Sequence, residues 1–193
     1  NYDLALSSHI DSGPSFGLDA SHCHGFTADL SDPAAPAKLI ANVIAHFGRT
    51  PDLLVNNAAM FGQDHWSTMD VATLEAHFQL NTFAPLLLAQ ALVEAASAQV
   101  AIVHILDQRI VSPHGDQMSY TLSKQALAAS VRTMATAFGE KARVNAVAPG
   151  LVIVTDDYAP EQVSRLAKMM PLGVLPDPAG PLNSQMDPCG KPR

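Results

Sequence analysis

Residues able to do chemistry are concentrated in one stretch of this chain, Asp107 to Lys124, which reads DQRIVSPHGDQMSYTLSK. It holds a phenol and an ammonium four residues apart, Tyr120 and Lys124, with a carboxylate, Asp107, thirteen residues before the tyrosine. The text from Ser119 through Ser123-Lys-Gln-Ala-Leu-Ala-Ala favours a helix, on which positions i and i+4 share a face. An ammonium beside a phenol favours the phenolate, so the pair is expected to lower a tyrosine pKa that ordinarily sits near ~10. Tyr120 would then give and take protons in the working range. The same spacing also arises by chance on solvated helix faces, so the pair gains weight only from its surroundings.

The elements that must position this stretch follow from hydrophobic patterning. Tyr2 to Leu6 reads as a short strand, and Cys23 to Ala28 as a second, closed by Asp29-Leu30. Ser31-Asp32-Pro33 supplies a cap and a first-turn proline for an amphipathic helix from about Ala34 to Phe47, which Gly48 stops. Asp52 to Asn56 is an apolar strand that breaks into Asn57-Ala58-Ala59. A helical pattern then runs from about Asp70 through Asn81 to Ala96, with a kink expected at Pro85. Val100 to Leu106 has buried-strand character and ends at Asp107. The helix bearing Tyr120 extends to about Gly139, a strand covers Arg143 to Ala148, and a short helix is expected over Pro160 to Met170. Strands alternating with helices predict an α/β fold with a doubly wound parallel sheet and helices on both faces. Ligands of such sheets lie off the carboxyl ends of the strands, where Asp29, Asn56, Asp107 and Pro149 all fall.

Composition bounds the function. The 193 residues suit one domain with a sizeable core; 48% are hydrophobic and 15% charged, which argues against disorder. A net charge of −7 offers no basic surface for nucleic acid or anionic membranes, so small-molecule partners are expected. Cys23 and Cys189 have no metal-ligand or disulfide spacing, and His22-Cys23-His24 lacks a third ligand nearby, so no metal site is expected. With no apolar run of membrane-spanning length and no signal-like start, a cytoplasmic setting is the default.

Five matches now stand in order: Asp29-Leu30, Asn56-Asn57-Ala58-Ala59, Asn81, Tyr120-x-x-x-Lys124, and Asn145-Ala-Val-Ala-Pro149-Gly150. In these, over residues 2 to about 172, the chain resembles the short-chain dehydrogenase/reductases, NAD(P)-dependent enzymes of the Rossmann fold. The resemblance implies that Tyr120 delivers or removes the substrate proton, while Lys124 holds the nicotinamide ribose and lowers the tyrosine pKa. Asn81 would anchor a water in a proton relay. Asn56, Ala58 and Ala59 would line the adenosine side of the cofactor, with Asp29-Leu30 near the adenine ring, and Pro149 and Gly150 would border the nicotinamide. Each has a plainer reading: an ordinary turn at Asn56-Asn57, a helix-surface Asn81, and an Asp29 that only begins a helix cap.

Asp107 departs from the family pattern, which usually has a serine there to orient a substrate carbonyl. A carboxylate cannot donate a hydrogen bond unless protonated, so the site suits a nitrogenous substrate better than a plain ketone. The Asp, Tyr, Lys arrangement is similar to that of pteridine reductases, including the dihydromonapterin and dihydrofolate reductases of this fold. The alternative is a drifted serine in a 3-oxoacyl or other carbonyl reductase. Met60, Phe61, His65 and Trp66 are candidate walls of a substrate pocket. Met118 and Leu122 are expected in the core, and Arg109 at the surface, although it could also hold an anionic substrate group. Tyr158 and the loop from Leu151 would form a lid or a connector.

The family's Gly-rich phosphate turn has no counterpart here, residue 1 aligning with the family's second strand, and its final strand has none in residues 183–193. The expectation is a fragment: a partial dinucleotide-binding domain over 1–172, lacking the first strand-turn-helix and the last strand, and an irregular tail over 173–193. The strand at Leu54 should then carry unpaired backbone groups, and the chain should bind NADPH poorly, which micromolar affinity in a fluorescence titration would contradict. Leu6-Ser7-Ser8-His9 lacks the acid typical of NAD-preferring members, which favours NADPH and leaves NADH open. A full-length form is expected to be a homo-oligomer, dimer or tetramer. A non-catalytic remnant that serves subunit interaction is the reading from another class.

Overall fold

The computed structural model describes residues 24–150, 160–169, 173 and 175. The expected strand at Tyr2–Leu6, His9, Cys23, and the loop from Leu151 with Tyr158 lie outside these described residues. Two compact units divide the chain, Asn1–Ala148 and Pro149–Arg193.

The first unit is built on a parallel sheet of three strands, β1 (Leu53–Asn56), β2 (Val100–Ile105) and β3 (Ala142–Val147), in the order β1-β2-β3. Asn56 stands opposite His104, and His104 opposite Ala146, so the carboxyl ends of the strands are level. Helix α1 (Ala35–Phe47) precedes β1, α2 (Val71–Phe78) and α3 (Ala84–Ala95) connect β1 to β2, and α4 (Met118–Phe138) connects β2 to β3. In the second unit, α5 spans Pro160–Met169, where a short helix is expected. No helix among the described residues is long and apolar enough to cross a membrane.

Local chemistry sets the helix ends. Gly48 adopts a left-handed conformation with φ 67° and its N–H reaches the Ile44 carbonyl at 2.8 Å, closing α1 as a glycine can without strain. The start of α1 differs from expectation. Ala34 is the cap residue and the first-turn proline is Pro36; Asp32 instead shapes the preceding turn by accepting from the Ala34 N–H at 2.8 Å. Asp70 does cap α2, its carboxylate accepting from the Thr73 N–H at 2.7 Å.

The single kinked helix expected from Asp70 to Ala96 is two helices joined by a π-helical turn, Gln79–Phe83. Pro85 has no N–H to give the carbonyl of Asn81 four residues back. Just ahead of the proline the ladder widens, and the Ala84 N–H bonds to Gln79 five residues back. Asn81 sits inside this turn.

The core lies on one face of the sheet, where Val100, Ile102, Ala142 and Val144 pack against Leu88 and Leu92 of α3 and Met134 of α4. The expected cover on both faces is not found among the described residues: Leu53, Val55 and Val147, which point to the other face, are about half exposed. Handedness gives the reason. Two successive right-handed crossovers that advance in one direction along a sheet put both connections on the same side.

The strand expected from Cys23 to Ala28 is also not formed over residues 24–28. A strand exists through its ladder, and no described segment pairs with this one. The outer edge of β1 likewise has no strand partner among the described residues, as expected for Leu54. A cavity of about 280 Å³ opens here, lined mainly by apolar side chains including Phe26, Ala28, Leu54, Val55 and Leu92.

Candidate active site

Strand β2 ends at Ile105, and the chain turns at Asp107 into a short 3₁₀ segment, Gln108–Ile110, before entering α4. This returns Tyr120 to the end of the strand it left. The Tyr120 hydroxyl donates to Oδ2 of Asp107 at 3.0 Å, and Oδ1 accepts from the Arg109 N–H at 2.8 Å. Lys124 is 3% exposed; its Nζ donates to the Ile105 carbonyl at 2.7 Å and lies 5.9 Å from the centre of the Tyr120 ring. Phenol, carboxylate and ammonium therefore form one cluster at the carboxyl end of β2.

The electrostatics reverse one expectation. Tyr120 is held above the ordinary phenol value, first by burial, then by the Asp107 charge and the hydrogen bond to it; the Arg109 cation opposes them. Lys124 is directed at the Ile105 carbonyl, and its own pKa is lowered by burial while Asp107 acts in the other direction. In this state Tyr120 is a neutral hydrogen-bond donor, because burial and a neighbouring anion both disfavour the phenolate.

Behind the cluster, Asn81 is fully buried and makes three contacts. Its Oδ1 accepts from the Met60 N–H at 2.7 Å, while its Nδ2 donates to the Met60 carbonyl at 2.9 Å and to Ser123 Oγ at 3.0 Å. It is not a helix-surface residue. It ties the loop after β1 to α4.

Asn56 is buried with its side chain turned inward, Nδ2 lying 3.4 Å from the Pro85 carbonyl and 3.2 Å from Nδ1 of His104. His104 is fully buried and its pKa is lowered to about 4, by burial first and by the Lys124 charge second. It is therefore neutral near pH 7. Of the other residues assigned to the cofactor's adenosine side, Ala58 is half-buried, Ala59 is exposed and Leu30 is in the core. Asp29 is exposed and accepts from Ser31 N at 2.9 Å and Ser31 Oγ at 2.6 Å, which lowers its pKa. Pro149 and Gly150 belong to the second unit.

The pocket walls are partly as expected. Phe61 stands edge-on to Tyr120, ring centres 4.9 Å apart at 75°. Met60 is half-buried beside it, and Trp66 is 80% exposed. Two assignments change. Leu122 is exposed rather than in the core, since a helix that presents Tyr120 and Lys124 inward turns position 122 outward. Arg109 is mostly buried in an ion pair with Asp116 at 2.8 Å, and its charge reaches Tyr120, so it is no free surface cation. Residue types alone gave no notice of Asp64 and Ser119. Asp64 is 6% exposed and accepts from both the N–H and the hydroxyl of Ser119.

Comparison with known proteins identifies relatives of this chain. Residues 17–179 match the family described as enoyl-(acyl carrier protein) reductase. An L-xylulose reductase of Aspergillus niger is 36% identical over 68% of this chain and 49% of its own length. A human (3R)-3-hydroxyacyl-CoA dehydrogenase is 29% identical over 86% of this chain and 64% of its own. The crystal structure of FolM alternative dihydrofolate reductase 1 from Brucella canis, complexed with NADP, superposes with a TM-score of 0.71 at 34% identity, covering 77% of this chain and 59% of that one. The chain thus spans about half to two thirds of the length of these relatives. With the family match covering most of its residues and its parallel sheet superposing on such a structure, the chain belongs to the short-chain dehydrogenase/reductase family.

Proposed function

We propose that this chain carries the proton-handling site of an NADPH-dependent oxidoreductase that reduces a pteridine-like C=N bond. The observation that carries this reading is the hydrogen bond from Tyr120 to Asp107 at 3.0 Å. An ionised carboxylate only accepts hydrogen bonds. A ring that presents N–H or amino donors satisfies it once Tyr120 turns to the substrate, whereas a ketone, which offers only acceptors, leaves it unpaired. The likeness to an alternative dihydrofolate reductase supports the same substrate class.

The residues present fit the ribose end of a nicotinamide cofactor. Lys124 is a buried ammonium with three N–H donors, it bonds to one carbonyl, and it has no ion-pair partner among the described residues. Its free donors suit ribose hydroxyls, and Asn56, Ala58 and Ala59 would border the remainder. A bound nicotinamide supplies the hydride. The protein's task is then one proton at the substrate nitrogen, which Tyr120 is placed to give as a neutral donor. Asp107 orients that hydroxyl and accepts from the substrate ring. Asn81 fixes the wall at Met60 and would anchor a water in the proton relay.

The test is NADPH oxidation at saturating cofactor with dihydropterin or dihydrofolate, against a short 3-oxoacyl thioester and a ketose. Preferential turnover of the dihydropterin is expected. Turnover of thioester or ketose without dihydropterin would establish the carbonyl-reductase reading instead, and no turnover of any would favour a non-catalytic remnant. A cytoplasmic homo-oligomer is the full-length form in the same reading, and a full-length protein that elutes as a monomer in size-exclusion chromatography would contradict that.

A further inference from the structure

The catalytic helix begins without a cap of its own. Gln117, its first flanking residue, is in the left-handed region with φ 53° and makes no side-chain cap hydrogen bond. The N–H groups of a first turn need partners, and here one comes from 55 residues away in sequence. Both oxygens of Asp64 accept from the Ser119 N–H, at 3.1 and 3.2 Å, and Oδ2 also accepts from the Ser119 hydroxyl. Asp64 is 6% exposed and has no cationic partner among the described residues. A carboxylate so placed is costly unless hydrogen bonds and a helix N-terminus compensate it, and both do.

The location of this contact ties it to chemistry. Ser119 immediately precedes Tyr120. Asp64 lies on the same loop as Phe61, whose ring is packed edge-on against Tyr120. The next residue, His65, bonds through Nδ1 to the Gly115 carbonyl at 3.2 Å. Two adjacent side chains of one loop thus grip the approach to α4 and its first turn.

We infer that Asp64 is a positioning residue, which holds the first turn of α4 and the Phe61 loop in register so that Tyr120 meets both Asp107 and the substrate. The inference rests on Tyr120 as proton donor. Misplacing a reacting group by ~1 Å can cost on the order of 10²-fold in rate. Asp64→Ala is therefore expected to lower kcat at least ~10-fold per folded molecule, with the KM for NADPH changed less than about threefold. Asp64→Asn, which keeps an acceptor for the Ser119 N–H, should recover most of the loss. Ser119→Ala, which removes only the hydroxyl contact, should fall between.

Two readouts separate this from plain stabilisation. The first is kcat per folded molecule in all three variants; a lower melting temperature with unchanged kcat would overturn the inference, as would equal losses in Asp64→Ala and Asp64→Asn. The second needs no substrate. Protection of the Ser119 amide from exchange and the Phe61–Tyr120 ring contact, read by NMR, should be lost in Asp64→Ala and kept in Asp64→Asn; persistence of both in Asp64→Ala would also overturn it. If the unsubstituted chain turns over no substrate, the proposed function fails, and the NMR result still decides the role of Asp64.

Discussion

The two sides of the β1–β2 region are built differently. On the β2 side, Asp107, Tyr120, Lys124, Asn81 and Ser123 cluster with every one of these side chains in a hydrogen bond, to each other or, for Lys124, to the Ile105 carbonyl. On the β1 side, the strand's outer edge has no partner among the described residues, Leu53 and Val55 are about half exposed, and an apolar cavity lies alongside. The assigned proton chemistry lies in the closed region and the adenosine-side cofactor assignments in the open one. A preorganised hydrogen-bond network is what proton transfer needs, since its geometry tolerates little error. The open side offers surfaces rather than fixed donors, Asn56 having turned its side chain to His104 and Pro85.

Substitutions can break or sharpen this contrast. The largest effect is expected for Tyr120→Phe, which should lower kcat by ~10²–10⁴-fold in the NADPH oxidation assay, the usual worth of a positioned acid. Activity within about twofold of the parent would remove Tyr120 from the mechanism. Next is Leu92→Ala, at a fully buried position of the core behind the sheet. A loss of about 2–5 kcal/mol in urea unfolding is expected there, and a loss under ~1 kcal/mol would mean that the core relaxes into the neighbouring cavity.

His104 gives the closed region a pH signature. Its pKa is about 4 when folded against 6.5 in the reference state, so the unfolded chain takes up the proton first. Its contribution is complete above about pH 6.5 and is lost as pH falls towards 4, by roughly 3 kcal/mol in all. Urea midpoints measured between pH 7 and 4.5 should show that loss, and His104→Gln should flatten it. An equal acid slope in the variant would assign the loss to other groups. The smallest effect is expected on the open side, where Leu53→Thr should change stability by less than ~0.5 kcal/mol. A cost above ~1.5 kcal/mol would mean that something covers that edge in solution.

Legibility in the sequence follows the same division. The strands at Leu53, Val100 and Ala142 and the helices ending at Gly48 and Gly139 are readable because hydrophobic period and glycine stops act locally. Tyr120, Lys124 and Asp107 are readable because one helix turn and one strand end bring them together. The π-turn is only half readable: Pro85 announces a disturbance, but where the ladder widens depends on packing around Asn81. The outward turn of Leu122 is not readable because an Ala-rich helix has no strong polar face to set its rotation. The raised Tyr120 pKa is not readable because burial and the charge and hydrogen bond of Asp107 outweigh a lysine turned towards a backbone carbonyl. Asp64 and Ser119 carry no local pattern, since their contact closes across 55 residues.

The most direct test of the central claim, that Asp107 and Tyr120 together select a nitrogenous substrate, is the ratio of kcat/KM for dihydropterin to that for a 3-oxoacyl thioester, before and after Asp107→Ser. The expected result is a fall in this ratio of at least ~10-fold, because a site that bonds substrate N–H groups discriminates strongly against analogues lacking them. An unchanged ratio would contradict the claim and leave Asp107 as no more than a support for the loop between β2 and α4.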